Sequence, residues 1–132
     1  MTATLPSAIS SDGWTAVCRA DQLLPERGVA ALVGGVQVAL FRLFDGSLHA
    51  VGNRDPFSGA HVLARGIVGS RGDVPTVASP MYKQVFDLRT GVCLDAPEDG
   101  AARLPVFPVR EQDGVVLVGA GDEPPAVSRT GR

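Results

Sequence analysis

The side chains best suited to grip a metal or act as nucleophiles are few. The chain carries two cysteines, Cys18 and Cys93, and two histidines, His49 and His61. Thiolate and imidazole are the donors of zinc, copper and iron–sulfur centres. No cysteine stands shortly before a histidine, because Cys18 lies far upstream of His49 and Cys93 follows both histidines. No Cys-x-x-Cys pair is present, so both thiols read as small buried apolar residues, with a redox pair as the alternative. His49 and His61 read as structural. No serine, histidine and acid combine in a recognisable nucleophile elbow, and the glycines between 66 and 72 lack a phosphate-loop pattern. Two segments stand out instead: Asn53-Arg54-Asp55-Pro56-Phe57-Ser58-Gly59-Ala60 and Ser79-Pro80-Met81-Tyr82-Lys83-Gln84-Val85-Phe86-Asp87-Leu88-Arg89-Thr90-Gly91.

The elements that must position these segments are short β signals separated by turn residues. Trp14 to Cys18 reads as a first strand, with Trp14 as its core anchor, after an Asp12-Gly13 turn. Asp21 to Leu24 reads as a single helical turn stopped by Pro25. Val29 to Val33, a Gly34-Gly35 hairpin and Val36 to Phe44 follow, then an Asp45-Gly46 turn and Leu48 to Val51. Asn53 to Thr76 has weak periodicity and reads as a long loop. Strand signals return at Val77-Ala78, Gln84 to Leu88, Val92 to Leu94, Leu104 to Arg110 and Val115 to Val118, the last two joined by an Asp113-Gly114 turn. The runs at 36–44 and 115–118 are too apolar for strict alternation, which predicts burial on both faces or contact with a partner chain. Short antiparallel strands with hardly any helix predict an all-β sandwich or small barrel over residues 12–119. Residues 1–11 and 120–132 are expected to be flexible tails.

Composition narrows the function classes. The 132 residues are 45% hydrophobic and 20% charged, with a formal net charge of -2. That balance disfavours an electrostatic nucleic-acid binder, which needs a basic face. No apolar run has bilayer length, and the N-terminus lacks a signal-peptide pattern. Two cysteines are too few for a disulfide scaffold. The cytoplasm is the expected compartment, with no membrane and no nucleic-acid partner.

The two outstanding segments resemble the cluster-binding loops of Rieske-type iron–sulfur domains, in which each loop carries a Cys, a spacer and a His. Phe86-Asp87-Leu88-Arg89-Thr90-Gly91 is similar to the continuation of the second loop, and Pro56, Gly59 and Ala60 to the frame of the first. The resemblance runs from about Trp14 to Val118, through the late Asp113-Gly114-Val115-Val116 hairpin. It implies a Rieske-like antiparallel sandwich or small barrel with two former cluster-binding loops. In the first loop Asp55 stands at the Cys place and Phe57 at the His place; in the second, Ser79 and Tyr82 do. A Rieske centre needs two thiolates on one iron and two imidazoles on the other. A phenyl ring cannot ligate iron, and carboxylate, hydroxyl and phenol oxygens are harder donors than those they replace.

Gln37 to Arg42, Asp55-Pro56 with Phe57 to Ala60, Arg65 to Gly69 and Ser79 to Leu88 together resemble the small subunit of NAD(P)H-dependent assimilatory nitrite reductase, a Rieske-like family in which these ligands are replaced. The resemblance implies a cytoplasmic accessory subunit. Its large partner would carry the FAD, the [4Fe–4S] cluster and the sirohaem, and would reduce nitrite to ammonium. On this chain no catalytic, cofactor-binding or metal-ligating residue is expected. Ser79 and Tyr82 are expected to hydrogen-bond the two loops together where a metal once did, with Phe57 packing near Met81 or Tyr82. Phe57 and Tyr82 read either as core residues or as partner contacts. Lys83, which sits where a Rieske loop carries Gly, reads either as a solvated charge or as a partner of an acidic patch, and Arg54, with Arg65 and Arg71, as part of a modest basic rim. Two rival functions remain open at this stage. One is a Rieske-type electron-transfer ferredoxin, which would be coloured. The other is a stand-alone small-ligand-binding β domain with a sealed pocket.

Overall fold

Turn chemistry divides the described residues into eleven short strands. In the computed structural model, which describes residues 8–9, 13–96 and 102–119, they are β1 (Ala8–Ile9), β2 (Thr15–Arg19), β3 (Gly28–Val33), β4 (Val36–Arg42), β5 (Leu48–Gly52), β6 (Ile67–Arg71), β7 (Val74–Ala78), β8 (Val85–Asp87), β9 (Val106–Phe107), β10 (Val109–Gln112) and β11 (Val115–Val118). Gly34, Gly35, Gly46 and Gly114 all take positive φ at the hairpin turns between them, a conformation open to glycine at little steric cost. The 3₁₀ turns Ala20–Gln22 and Leu63–Arg65 lie between strands, and no helix among the described residues is long and apolar enough to cross a membrane. Of the two expected tails, residues 1–7, 10–11 and 120–132 lie outside the described residues, while the backbone of Ala8–Ile9 pairs with Thr15 and Ala16.

The strands form three antiparallel sheets, ordered β1-β2-β11-β10, β3-β4-β5-β9 and β6-β7-β8. The second sheet lies between two cores, and β4 explains how. Successive side chains of a strand point to opposite faces. Val38 and Leu40 therefore join Val17, Cys18, Leu23, Phe107, Val116 and Val118 in one cluster, while Ala39 and Phe41 join Leu63, Val77, Phe86, Leu88 and Cys93 in the other. All four β4 residues are fully buried, which accounts for a run too apolar to alternate. Strand β11 behaves differently. Val116 and Val118 are buried but Val115 and Leu117 are only half-buried, so the expected two-faced burial of 115–118 is not observed.

Three other expectations need correction. The stretch read as one long loop contains the β6–β7 hairpin, paired Ile67↔Ala78 through Arg71↔Val74. Its first strand was hidden because Gly69, Ser70 and Arg71 face solvent at a sheet edge and carry no alternation. The run 104–110 is split at Pro108 into β9 and β10, since proline offers no N–H to a ladder. Trp14 is not a core anchor: it is half-buried, with the Arg110 guanidinium 4.2 Å from its ring centroid.

Candidate functional site

The first loop leaves β5 at Asn53, which is buried and tied on both sides. Its Oδ1 accepts the Ala64 N–H at 2.7 Å, and its Nδ2 donates to Gln37 Oε1 at 3.1 Å. The second loop joins β7 to β8. Gly66 lets the two approach: a Cβ there would strike the Ala78 carbonyl and the Val77 side chain.

Both loops are built on the same turn. Asp55 Oδ1 accepts the N–H of Phe57 at 2.8 Å, the Asp55 carbonyl accepts Gly59 N–H at 2.7 Å, and Asp55 N–H donates to the Ala60 carbonyl at 2.8 Å. Ser79 repeats each bond: its Oγ accepts Met81 N–H at 3.2 Å, its carbonyl accepts Lys83 N–H at 3.0 Å, and its N–H donates to the Gln84 carbonyl at 2.9 Å. The fifth residue takes positive φ in both turns, +81° at Gly59 and +68° at Lys83. That is why a glycine suits position 83, and lysine there is strained by about 1 kcal/mol. A third copy runs from Asp87 to Val92, with Gly91 at +81°. Burial pushes the Asp87 carboxyl up, but hydrogen bonds from the Arg89 side chain and backbone outweigh it and hold the group below the usual carboxylate range.

Asp55 and Ser79, which the sequence resemblance sets at the two thiolate places, are fully buried and bonded to each other: Ser79 Oγ donates to Asp55 Oδ2 at 2.5 Å. Asp55 also receives Ser58 N–H at 3.4 Å, so the buried carboxylate is well satisfied. A hydrogen bond thus joins the two loops directly. The cohesion expected of Ser79 is observed, and its partner is Asp55. An acid and a hydroxyl on two tight turns at matching positions were the available signal.

Phe57 and Tyr82, which the sequence resemblance sets at the two imidazole places, face outward. Phe57 is 38% exposed and Tyr82 58%, and neighbouring Met81 is 48% exposed. Tyr82 is therefore not a core residue, and among the described residues no hydrogen bond from it ties the loops. Phe57 leans on Phe86 with ring centroids 6.3 Å apart and tilted by 45°, rather than stacking on Tyr82. Arg54 and Lys83 are exposed and make no ion pair among the described residues. Arg71 does, with Asp95 at 3.0 Å, and so is not a free member of the basic rim.

These residues do not fit a [2Fe–2S] cluster. The Asp55 carboxylate and the Ser79 hydroxyl are engaged with each other, Phe57 has no donor atom, and the remaining phenol is a hard, exposed oxygen. The cysteines offer no substitute, because Cys18 and Cys93 are free thiols buried in opposite cores. Burial pushes the Cys18 thiol upward, away from the thiolate that binds metal. Nor does the other polar cluster make a nucleophile. Ser47 Oγ donates to Asp45 Oδ1 at 2.6 Å and lies 3.3 Å from His49 Nε2, so its proton is held by the acid rather than the imidazole. Burial lowers the His49 pKa. The cleft beside it, about 610 Å³, is open rather than sealed.

Comparison with known proteins agrees with this geometry. The family of Rieske-like [2Fe-2S] domains matches residues 13–119. The nitrite reductase (NADH) small subunit of Salmonella typhimurium is 41% identical over 104 residues, covering 78% of this chain and 94% of that one. A crystal structure from Mycobacterium tuberculosis, assigned as an NADH-dependent nitrite reductase small subunit, superposes with a TM-score of 0.76 at 53% identity, covering 81% of this chain and 94% of that one. The nitrite reductase [NAD(P)H] large subunit of Klebsiella oxytoca is 39% identical over 112 residues; the match covers 85% of this chain but only 11% of that far longer protein. A Rieske-like frame over 13–119 and small-subunit relatives matched over 94% of their own length lead to one conclusion: the chain belongs to the Rieske-like family of nitrite reductase (NADH) small subunits.

Proposed function

We propose that this chain is a cluster-free, non-catalytic subunit of a cytoplasmic assimilatory nitrite reductase, and that it docks on a large subunit through the outward tips of its two loops. The observation that carries the reading is the buried Ser79–Asp55 hydrogen bond. It gives the loops cohesion that needs no iron. Their tips then serve as surface: Phe57, Met81 and Tyr82 form an exposed apolar group, flanked by Arg54 and Lys83. Tyrosine and phenylalanine at a loop tip suit a buried hot spot, and the cations suit its rim. The Klebsiella relative supports the pairing, since there a segment like this chain is part of the large subunit itself. On this reading the FAD, the [4Fe–4S] cluster and the sirohaem that convert nitrite to ammonium reside on the partner.

Co-expression with the cognate large subunit tests the assignment. Affinity capture of this chain is expected to retain a sirohaem protein in fixed proportion, and removal of the chain to lower NAD(P)H-dependent nitrite turnover. A large subunit that is fully active and stable alone, and is not retained, overturns the assignment.

A further inference from the structure

Sulfur occurs at four places in the chain: Met1, Cys18, Met81 and Cys93. Met1 lies outside the described residues. Both thiols are buried, one in each core, and burial pushes the Cys18 thiol away from the thiolate form that oxidants attack. Met81 is the reverse case. It is half-exposed, between Pro80 and Tyr82, which are exposed as well. The second loop's turn holds it there. Met81 N–H donates to Ser79 Oγ at 3.2 Å and Lys83 N–H to the Ser79 carbonyl at 3.0 Å, so the backbone is fixed on either side of the thioether. The one methionine among the described residues therefore presents its sulfur chain to solvent on a loop tip, and does so beside the exposed rings of the proposed docking group.

We propose that Met81 is an oxidation switch for docking: hydrogen peroxide converts its thioether to the sulfoxide, and the sulfoxide keeps the loop tips from seating on the large subunit. The inference rests on the docking reading above. A sulfur lone pair attacks the peroxide O–O bond, one oxygen becomes the sulfoxide oxygen, sulfur gives up two electrons, and the other oxygen leaves as water. The product is polar where the thioether was apolar. On the free chain this costs little, because water already reaches the side chain and solvates the new oxygen. Against a partner the same oxygen must be buried, and burying a polar group without a hydrogen bond is unfavourable. The unoxidised side chain is the opposite, since its flexible, polarizable thioether fits an irregular apolar surface. The turn itself survives the reaction, because Ser79 Oγ and backbone groups make its bonds and the Met81 sulfur makes none of them.

The test treats the intact chain with hydrogen peroxide, removes the oxidant, locates the added oxygen at Met81 by peptide mass, and titrates the product against the cognate large subunit. The oxidised wild-type chain is expected to bind at least about tenfold more weakly, with its melting temperature unchanged. Methionine sulfoxide reductases are expected to restore the binding. Met81→Leu keeps the apolar bulk and lacks the sulfur, so it is expected to bind like untreated wild type both before and after peroxide. Full-strength binding by the Met81 sulfoxide overturns the switch and leaves the docking reading intact. An equal loss of binding in peroxide-treated Met81→Leu also overturns it, by placing the damage elsewhere. Untreated wild-type chain that does not bind overturns the docking reading and the switch with it.

Discussion

The two matching turns set two pairs of residues on opposite courses. The first residues, Asp55 and Ser79, turn inward, are fully buried, and bond to each other across the loops. The residues nearer the tips, Phe57 and Tyr82, turn outward and stand 38% and 58% exposed. The first pair supplies cohesion between the loops, and the second pair is surface. The reason is local. Asp55 and Ser79 are the first residues of their turns, where a side-chain oxygen also meets the N–H two residues on. Residues 57 and 82 have no such backbone duty. In the third turn, Asp87 to Val92, the first side chain is instead engaged by Arg89 of its own turn.

The largest expected effect breaks the inward half. Asp55→Ala removes the acceptor of three donors and strands a buried hydroxyl, which predicts a loss of about 3 kcal/mol and a melting temperature lower by on the order of 10 °C. Ser79→Ala is expected to cost about 2 kcal/mol, because one buried carboxylate oxygen loses its partner. Denaturant or thermal unfolding of the isolated chain measures both. Little change in either would mean that the loops are held by the surrounding core alone.

The outward half is broken by Tyr82→Ala, which should leave stability within about 0.5 kcal/mol yet weaken capture of the large subunit by at least about tenfold, as for a hot-spot tyrosine. Phe57→Ala should do the same to binding while losing about 1 kcal/mol of stability through its contact with Phe86. Equal stability losses at 57 and 82, without loss of binding, would erase the distinction between the two halves.

Lys83→Gly sharpens the likeness between the turns. Glycine at φ +68° relieves strain, so a gain of roughly 0.5–1 kcal/mol is expected in chemical denaturation. The same substitution removes one proposed rim cation and should slow association modestly at low salt.

The smallest effect concerns the third turn. The Asp87 carboxyl titrates below its unfolded value of about 4. The unfolded chain therefore takes up the proton first, and the stability this group contributes is complete above about pH 4 and declines as pH falls below it. Asp87→Asn should flatten that part of the stability–pH curve, with wild type and variant compared by urea melts between pH 6 and 3.

Much of this architecture was legible in the residue order. Gly34-Gly35, Asp45-Gly46 and Asp113-Gly114 mark hairpins that the backbone makes with positive φ at glycine. The frame of both loops was legible too, because Pro56, Gly59 and the Phe86-Asp87 continuation mark the two matching turns. Strand β6 was not, since an exposed edge of Gly, Ser and Arg has no periodic signature. The Asp55–Ser79 bond was half legible. Each residue was singled out, but only tertiary structure brings positions 24 residues apart into contact.

Iron and acid-labile sulfide content of the anaerobically isolated chain tests the central claim most directly. The account predicts colourless protein with neither element in stoichiometric amount. Two irons and two sulfides per chain, with visible absorption, would contradict it.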